Sequence, residues 1–476
     1  MKLSTMKVLS DEEIAAVNDA TIDILENCGV KILSKKMLDF LADQKLEVNR
    51  DKQVVKFSRT LLEELIASVP AQIELFDQRG KSAFIIGDGT PKIAAGHNAV
   101  FWLDSITGET RNSTVADVEK FARICDGLDV IDMIGIPVMP QNIPFANATL
   151  LYGAKAVIEN STKPIYFSTD RQDVNKSIIE MLKTVFAGDL KNQAYGISQL
   201  SPTSPLFWED SVLEAIMDTI NCGVPLAILP EPIAGLSAPY TLAGLVTMNN
   251  AECISGIAMA QLLKKGAKVL YANSWTTANM QNCAALVGSA ETTLCRIAGA
   301  QMAKFYGIPC HTTAPNSDNH VHDEQNAWEK TFSMFCAQSA GNDLIVNCGM
   351  FATGMTCSHE QLIMDAEISG FAQQICKGIK VDKNTIACEL IKAIGPHGDS
   401  YLTTEHTMEY LHSDEYYQPI ASVNGPRGSW VNSGSKDSYL ISKEVAGKLD
   451  NLTKNTLTKE KFEKLGVIIN NFKGNS

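Results

Sequence analysis

From Val130 onward one pattern repeats along the chain: a short uninterrupted apolar run, a polar loop, then a segment with helical apolar periodicity. Seven runs are plain (VIDMIGIPVMP, KPIYFSTD, AYGISQLSP, PLAILPEP, KVLYANSW, IPCHTTAP and DLIVNCGMF), and DSYLTTEHT is the candidate for an eighth. Runs without polar alternation are strands covered on both faces, as parallel sheets require. The segments between them, such as SAETTLCRIAGAQMAKFYG and EQNAWEKTFSMFCAQSAG, read as amphipathic helices. Eight such units predict an α/β fold, a TIM (β/α)8 barrel, with an open doubly wound sheet as the alternative.

The flanks read differently. Ser10 to Glu13 form a capping box that opens a helix, Ser34 starts another, and Val54 to Trp102 carries short strand-like runs broken by glycine. Thr114 and Asp117 cap the helix that leads into the regular region. The expected organisation is an N-terminal α+β extension over residues 1–125 packed on the barrel, the barrel over 126–440, and a C-terminal helix and tail over 441–476.

Composition narrows the function classes. The chain has 476 residues and a formal net charge of −13 made of scattered acids, which argues against nucleic acid and anionic membranes as partners and leaves small cations open. The start has no apolar core of a secretion signal, and no long apolar segment follows, so a cytoplasmic, non-membrane protein is expected. The twelve cysteines are dispersed without a C-x-x-C pair and read as reduced core residues in an intracellular, anaerobic setting. Neither G-x-G-x-x-G after a strand nor G-x-x-x-x-G-K-[ST] is present, so the usual phosphate cradles are missing.

In such a barrel the chemistry sits where the strands end. The residues following the apolar runs are Gln199 through Phe207 and Trp208, then Glu231, Trp275, His311 with Asp318 and His320, and Phe351. Alternation places Tyr271, Asn273 and Trp275 on one face. With Phe207, Trp208 and Phe351 these bring several aromatic rings and the Glu231 carboxylate to one cavity, a lining that suits a quaternary ammonium group. Each ring taken singly is more often ordinary core or rim packing. Glu231 is a candidate acid or base and equally an ion-pair partner inside the barrel.

The stretch NSDNHVHDEQ, residues 316–325, offers His320 and His322 at a zinc-like spacing. A metal-dependent barrel hydrolase would carry that motif after its first strand and place further histidines at later strand ends. Here the first run ends in Pro-Val-Met-Pro and KVLYANSW ends in Asn-Ser-Trp, so no metal is expected. His97, His359, His397, His406 and His412 lie far from the motif in sequence, and His311 and His406 fall at predicted strand ends. Asp323 and Glu324 open the next helix, where acids meet its dipole favourably. No G-x-S-x-G follows a strand, and GPRGSW at 425–430 has the wrong context for a nucleophile elbow.

Five collinear pieces then carry a resemblance: LDSITGETRNSTVADVEKFARICDGLDVID, NSTKPIYFST, PEPIAGLSAPYTLAGLVTMNNAE, SAETTLCRIAGAQMAKFYGIPCHTTAPNSDNHVHDEQNAWEK and CGMFATGMTCSHEQLIMDAEI. Across nearly its whole length the chain resembles the trimethylamine methyltransferase (MttB) family of corrinoid-dependent methyltransferases. The founding archaeal members use pyrrolysine, whereas every residue here is standard, so the chain is similar to the non-pyrrolysine branch, which demethylates quaternary amines.

That resemblance implies a TIM barrel and methyl transfer from a betaine-type amine to the Co(I) corrinoid of a partner protein, with no cofactor bound by this chain. It leaves the barrel to orient the substrate, with His320, His311 or loop amides as candidates for the carboxylate end, and Asp318 and His320 as mouth residues. A homo-oligomer is expected from the apolar barrel exterior. A metal-dependent hydrolase and a non-catalytic quaternary-amine binding protein are the alternatives.

Overall fold

The structure, a computed structural model, describes residues 3, 5–451 and 457–472. Eight parallel strands close on themselves: β1 Lys92–Ala95, β2 Met133–Gly135, β3 Ile165–Ser168, β4 Gly196–Leu200, β5 Leu226–Ile228, β6 Val269–Asn273, β7 Cys310–Thr313 and β8 Leu344–Cys348. Each pairs with its neighbours in chain order, and β8 pairs with β1. A helix follows every strand: α1 Val115–Asp126, α2 Thr149–Asn160, α3 Gln172–Val185, α4 Asp210–Cys222, α5 Leu242–Leu263, α6 Ala290–Tyr306, α7 Glu324–Ser339 and α8 His359–Lys377. This is the TIM barrel, and the doubly wound alternative falls.

One strand comes from an unexpected place. DSYLTTEHT forms a single helical turn, Tyr401–Thr403, and the short helix Glu405–Tyr410, not a strand. The eighth staircase member is β1, which the sequence reading had left inside the N-terminal extension; the barrel begins at Lys92, and every later run stands one place further round than its order suggested. β1 is four residues long, buried throughout and closed by Gly96. So short a run between glycines carries little periodic signal, and the closure of the sheet is what makes it a strand.

The barrel has two surfaces and a floor. Outside, the N-terminal helices Asp11–Asp23 and Arg59–Ala67 lie over α5, so α5 is buried almost all round from Leu245 to Gln261. Inside, Ala94, Met133, Ile197, Ala227, Leu270, Leu344 and Val346 form an aliphatic column. The hairpin Ile73–Phe76 with Ser82–Ile86 seals its lower end, sending Ile73, Leu75 and Ile86 into that column. Each of these buried side chains contributes roughly 1.5–3 kcal/mol of burial. The helix Lys459–Asn471 docks through Leu465 and Ile469. Among the described residues no helix is long and apolar enough to cross a membrane.

Candidate active site at the barrel mouth

Going up the column, the inward side chains change from aliphatic to polar. Period-two alternation carries Tyr166 and Ser168 inward on β3, Gln199 on β4, and His311 and Thr313 on β7; Glu231 and Ser274 follow the ends of β5 and β6. His97 follows β1. On β8 the register slips between Val346 and Cys348, and Asn347 takes φ 123°, a conformation asparagine tolerates better than most residues. That bulge presents its side chain to His97 and Asn316. Two small rim sheets brace the loops, one from Ile233–Ala234, Thr276–Ala278 and Ala285–Leu286, the other from Met350–Phe351, Thr356–Cys357, Phe101–Leu103 and Thr110–Asn112.

Four of these groups form one hydrogen-bonded chain. The Tyr166 hydroxyl donates to Gln199 Oε1 and lies 3.1 Å from His311 Nε2. Because the amide oxygen can only accept, Tyr166 accepts in turn from His311 Nε2–H. His311 Nδ1 is then an unprotonated acceptor, buried and without a hydrogen-bond partner. Gln199 Nε2 donates to Ser168 Oγ at 3.2 Å, and Asn98 Nδ2 to the Ser168 carbonyl at 3.0 Å. Tyr166 and His311 stack with centroids 5.4 Å apart, and His97 meets Tyr166 edge-on at 5.7 Å.

The electrostatics are one-sided. Burial lowers His97 to about 4, a hydrogen bond with the Asn347 side chain opposing it. Burial, with His97 nearby, lowers His311 to about 3. Both rings are neutral near pH 7. Glu231 is surrounded by protein on every side yet exposed to the open space of the mouth. Its surroundings raise its pKa, a hydrogen bond with Ser274 pulling the other way. Glu231 in turn helps burial raise Tyr166. Neither lysine nor arginine belongs to this set, which leaves Glu231 as its one acidic group.

The model of the family described as trimethylamine methyltransferase (MTTB) matches residues 1–471. The chain belongs to the trimethylamine methyltransferase family. A relative named trimethylamine methyltransferase MttB from Desulfitobacterium hafniense (strain DSM 10664 / DCB-2) is 30% identical over 430 residues, covering 90% of this chain and 86% of its own length. One named glycine betaine methyltransferase, from Desulfitobacterium hafniense (strain Y51), is 27% identical over 437 residues, covering 90% and 89%. The crystal structure of the Methanosarcina barkeri monomethylamine methyltransferase superposes with a TM-score of 0.51 at 12% identity, covering 95% of this chain and 96% of that one; it shows the shared fold.

Of the residues singled out in the sequence, the barrel of this MttB-family chain brings Gln199, Glu231 and His311 together. The aromatic cage is not built as expected. Tyr271 and Trp275 do share a face, but it is the outer one: Tyr271 OH accepts from Asn249 of α5 at 3.4 Å, and Trp275 is fully buried in the layer between strands and helices. The small Ala272 and Ser274 point inward instead. Trp208 pairs beside Val30–Ile32, packs on Gly256 and donates Nε1 to Ser255 Oγ at 3.0 Å. Phe207 faces the Lys31 ammonium at 5.7 Å. Trp275→Leu is therefore expected to cost about 2 kcal/mol of stability, read in a urea titration, while leaving the ranking of amine substrates unchanged.

The opening histidine motif is mostly a loop fastening. Asp318 accepts from Val287 N at 2.9 Å, Gly288 N at 3.0 Å and Thr353 Oγ1 at 3.1 Å, which ties the loops after β6, β7 and β8 together. His320 is exposed on the rim. His322 turns aside against Phe351 and Tyr439, with centroids at 4.9 and 5.2 Å, and burial lowers it to about 4. Phe351 itself is enclosed with Leu103 and Ala352. Asp323 caps α7, accepting from Asn326 N. Among the described residues no group of three or more His, Cys, Asp or Glu side chains is placed to hold a metal ion. His406 lies on the short helix Glu405–Tyr410, away from the barrel strands.

Of the site residues that escaped the sequence reading, with Asn98, Ser168, Ser274 and Thr313 among them, His97, Tyr166 and Asn347 matter most. Tyr166 was reachable, since it stands two positions before Ser168 in a recognised run. His97 follows the strand that was not recognised, and Asn347 depends on a bulge.

Proposed function

We propose that this chain takes one methyl group from a quaternary ammonium compound of the betaine type, held in the barrel mouth, and passes it to the Co(I) corrinoid of a partner protein. The observation that carries this reading is Glu231, an accessible carboxylate inside a pocket of neutral polar groups. The relative named glycine betaine methyltransferase supports a quaternary amine. The corrinoid, carried by its own protein, supplies the nucleophile.

What this chain contributes is binding and orientation. The Glu231 carboxylate meets the cation and the half-buried ring of His97 limits its rotation, while Tyr166 and His311, fully buried and stacked on each other, hold that wall in place. Holding both histidines neutral keeps them from repelling it. No proton has to be delivered, because the quaternary nitrogen leaves as a neutral amine. The aliphatic column and its hairpin floor close the pocket from below, so approach is from the mouth alone. A carboxylate that gripped the cation too firmly would favour the ground state, and its raised pKa moderates that grip. The carboxylate end of a betaine points outward, toward exposed His320 and the rim amides.

The pocket set contains no cysteine or lysine to accept a methyl group, so the acceptor enters from outside. Membership in a methyltransferase family stands against the hydrolase and binding-protein readings. The test is to mix the protein with a reduced corrinoid protein and glycine betaine, proline betaine, carnitine, γ-butyrobetaine or choline. Methylation of the corrinoid changes its visible absorbance. If calorimetry detects amine binding and no candidate alters the spectrum, the proposal fails.

A further inference from the structure

We propose that Arg296, on α6 beneath the rim hairpin of Thr276–Ala278 and Ala285–Leu286, is the specificity residue that receives the carboxylate of a betaine whose ammonium end lies at Glu231. This rests on the function proposed above for the mouth and adds the receptor for the other end of the substrate. Arg296 is 1% exposed. Its Nη1 donates to the Val287 carbonyl at 3.2 Å, while Nε and Nη2 are buried without a hydrogen-bond partner. Those two nitrogens form the edge by which a guanidinium holds a carboxylate through two parallel bonds. Arg171 uses the same edge in this chain, its Nε and Nη2 donating to Asp173 at 3.1 and 2.6 Å.

A guanidinium taken from water with two donors unbonded is costly. Burial lowers the Arg296 pKa to about 10, with Cys295 and Asp318 opposing it. A carboxylate on the free edge relieves that cost and fits its shape.

The fold ties this edge to the mouth. The loop after β6 begins at Ser274, the hydrogen-bond partner of Glu231, passes through the hairpin and returns at Val287 onto Arg296. Thr292 Oγ1 of α6 holds the hairpin from below, donating to the Leu286 carbonyl at 2.7 Å. One loop therefore runs from a carboxylate to a guanidinium, the charge pattern that complements a zwitterion. Asp318 acts on Arg296 through its charge but bonds the Val287 and Gly288 amides instead. The hairpin is exposed from Met280 to Ala284, and lifting its Val287–Gly288 turn uncovers the Arg296 edge for the substrate.

Calorimetry on the full-length protein tests this without a corrinoid. Glycine betaine, carnitine, γ-butyrobetaine and choline are titrated into wild type, Arg296→Gln, Arg296→Lys and Asp318→Asn. In Arg296→Gln each betaine that binds the wild type is expected to lose about 100-fold in affinity, and choline, which has no carboxylate, less than about threefold. Arg296→Lys keeps the charge without the paired edge and restores part of the loss. Asp318→Asn keeps the betaines ahead of choline.

Equal losses for betaines and choline in Arg296→Gln assign Arg296 a structural role and overturn the proposal. So does an Asp318→Asn protein that loses the betaine preference as Arg296→Gln does, because Asp318 is then the partner of Arg296. Should the variants misfold, hydrogen exchange on the wild type decides: glycine betaine slows exchange at Val287 and Gly288 and choline does not, and equal protection by both refutes the assignment. Absence of binding by all four amines removes the reading of the mouth instead. Acetate, compared with chloride at equal ionic strength, then decides Arg296 alone: it raises the melting temperature of wild type and not of Arg296→Gln, and an equal effect on both, or none, refutes the carboxylate receptor.

Discussion

Replacing Glu231 by glutamine is expected to lower kcat/KM for a quaternary amine by about 100-fold while leaving the melting temperature nearly unchanged. Two unit charges about 4 Å apart attract by about 4 kcal/mol at an effective dielectric of ~20; access of water through the mouth reduces that, and about 2.7 kcal/mol corresponds to 100-fold. Glutamine keeps the shape and the hydrogen bond to Ser274 but removes the charge.

The pH profile gives the same residue a second signature. Its pKa lies above the ordinary carboxylate range because burial disfavours the charged form. The ionised carboxylate binds the cation, so kcat/KM rises with pH through that raised pKa and is flat above it. A bound cation stabilises the carboxylate, so the corresponding limb in kcat lies at lower pH. His97 and His311, lowered to about 4 and about 3, stay neutral across this range. The Glu231→Gln profile should lose the limb; a variant that keeps it assigns the titration to another group.

The second large effect concerns stability. Lys330 on α7 is fully buried, and its ammonium lies 2.9 Å from Asp365 of α8, 3.3 Å from the Pro315 carbonyl, and in contact with the Met350 carbonyl. Asp365 also accepts from Gly349 N at 2.7 Å and Gln361 Nε2 at 2.8 Å. Burial raises the Asp365 pKa and Lys330 opposes it. Lys330→Met strands that carboxylate in the interior, and the expected loss is about 3–5 kcal/mol.

Lys330→Met with Asp365→Leu should recover much of the loss, since replacing both members of a buried pair by apolar groups is often close to neutral. Chemical denaturation of the four proteins of that cycle measures it. A double variant no more stable than Lys330→Met alone would show that the pair matters through its backbone contacts rather than its charge. The contacts at Pro315 and Gly349 flank Asn316 and Asn347, so a fall in activity is expected alongside.

Much of this arrangement could be read in advance, and unevenly. The capping boxes at Ser10 and Thr114 form as spelled, each satisfying helix-end amides with its own side chain. The seven long apolar runs all contain barrel strands. Gln199, Glu231 and His311 were found because strand ends are where barrel chemistry collects. The rings failed for a single reason: Tyr271 and Trp275 were placed by alternation, which says that two side chains share a face and not which face it is.

The sequence by itself determined the periodicities, the helix caps, the barrel and the family, because these depend on residues near one another or on matches spread along the whole chain. Only the tertiary structure decided which side of each strand looks inward. A strand buried on both faces has no polar side to mark the axis, and an eight-stranded barrel has little room inside, so Ala272 and Ser274 face the pocket while Tyr271 and Trp275 fill the gap to the helices. Closure of the sheet also recruited β1, brought His97, Tyr166 and Asn347 to one place, and gave Glu231 both its enclosure and its opening to the mouth.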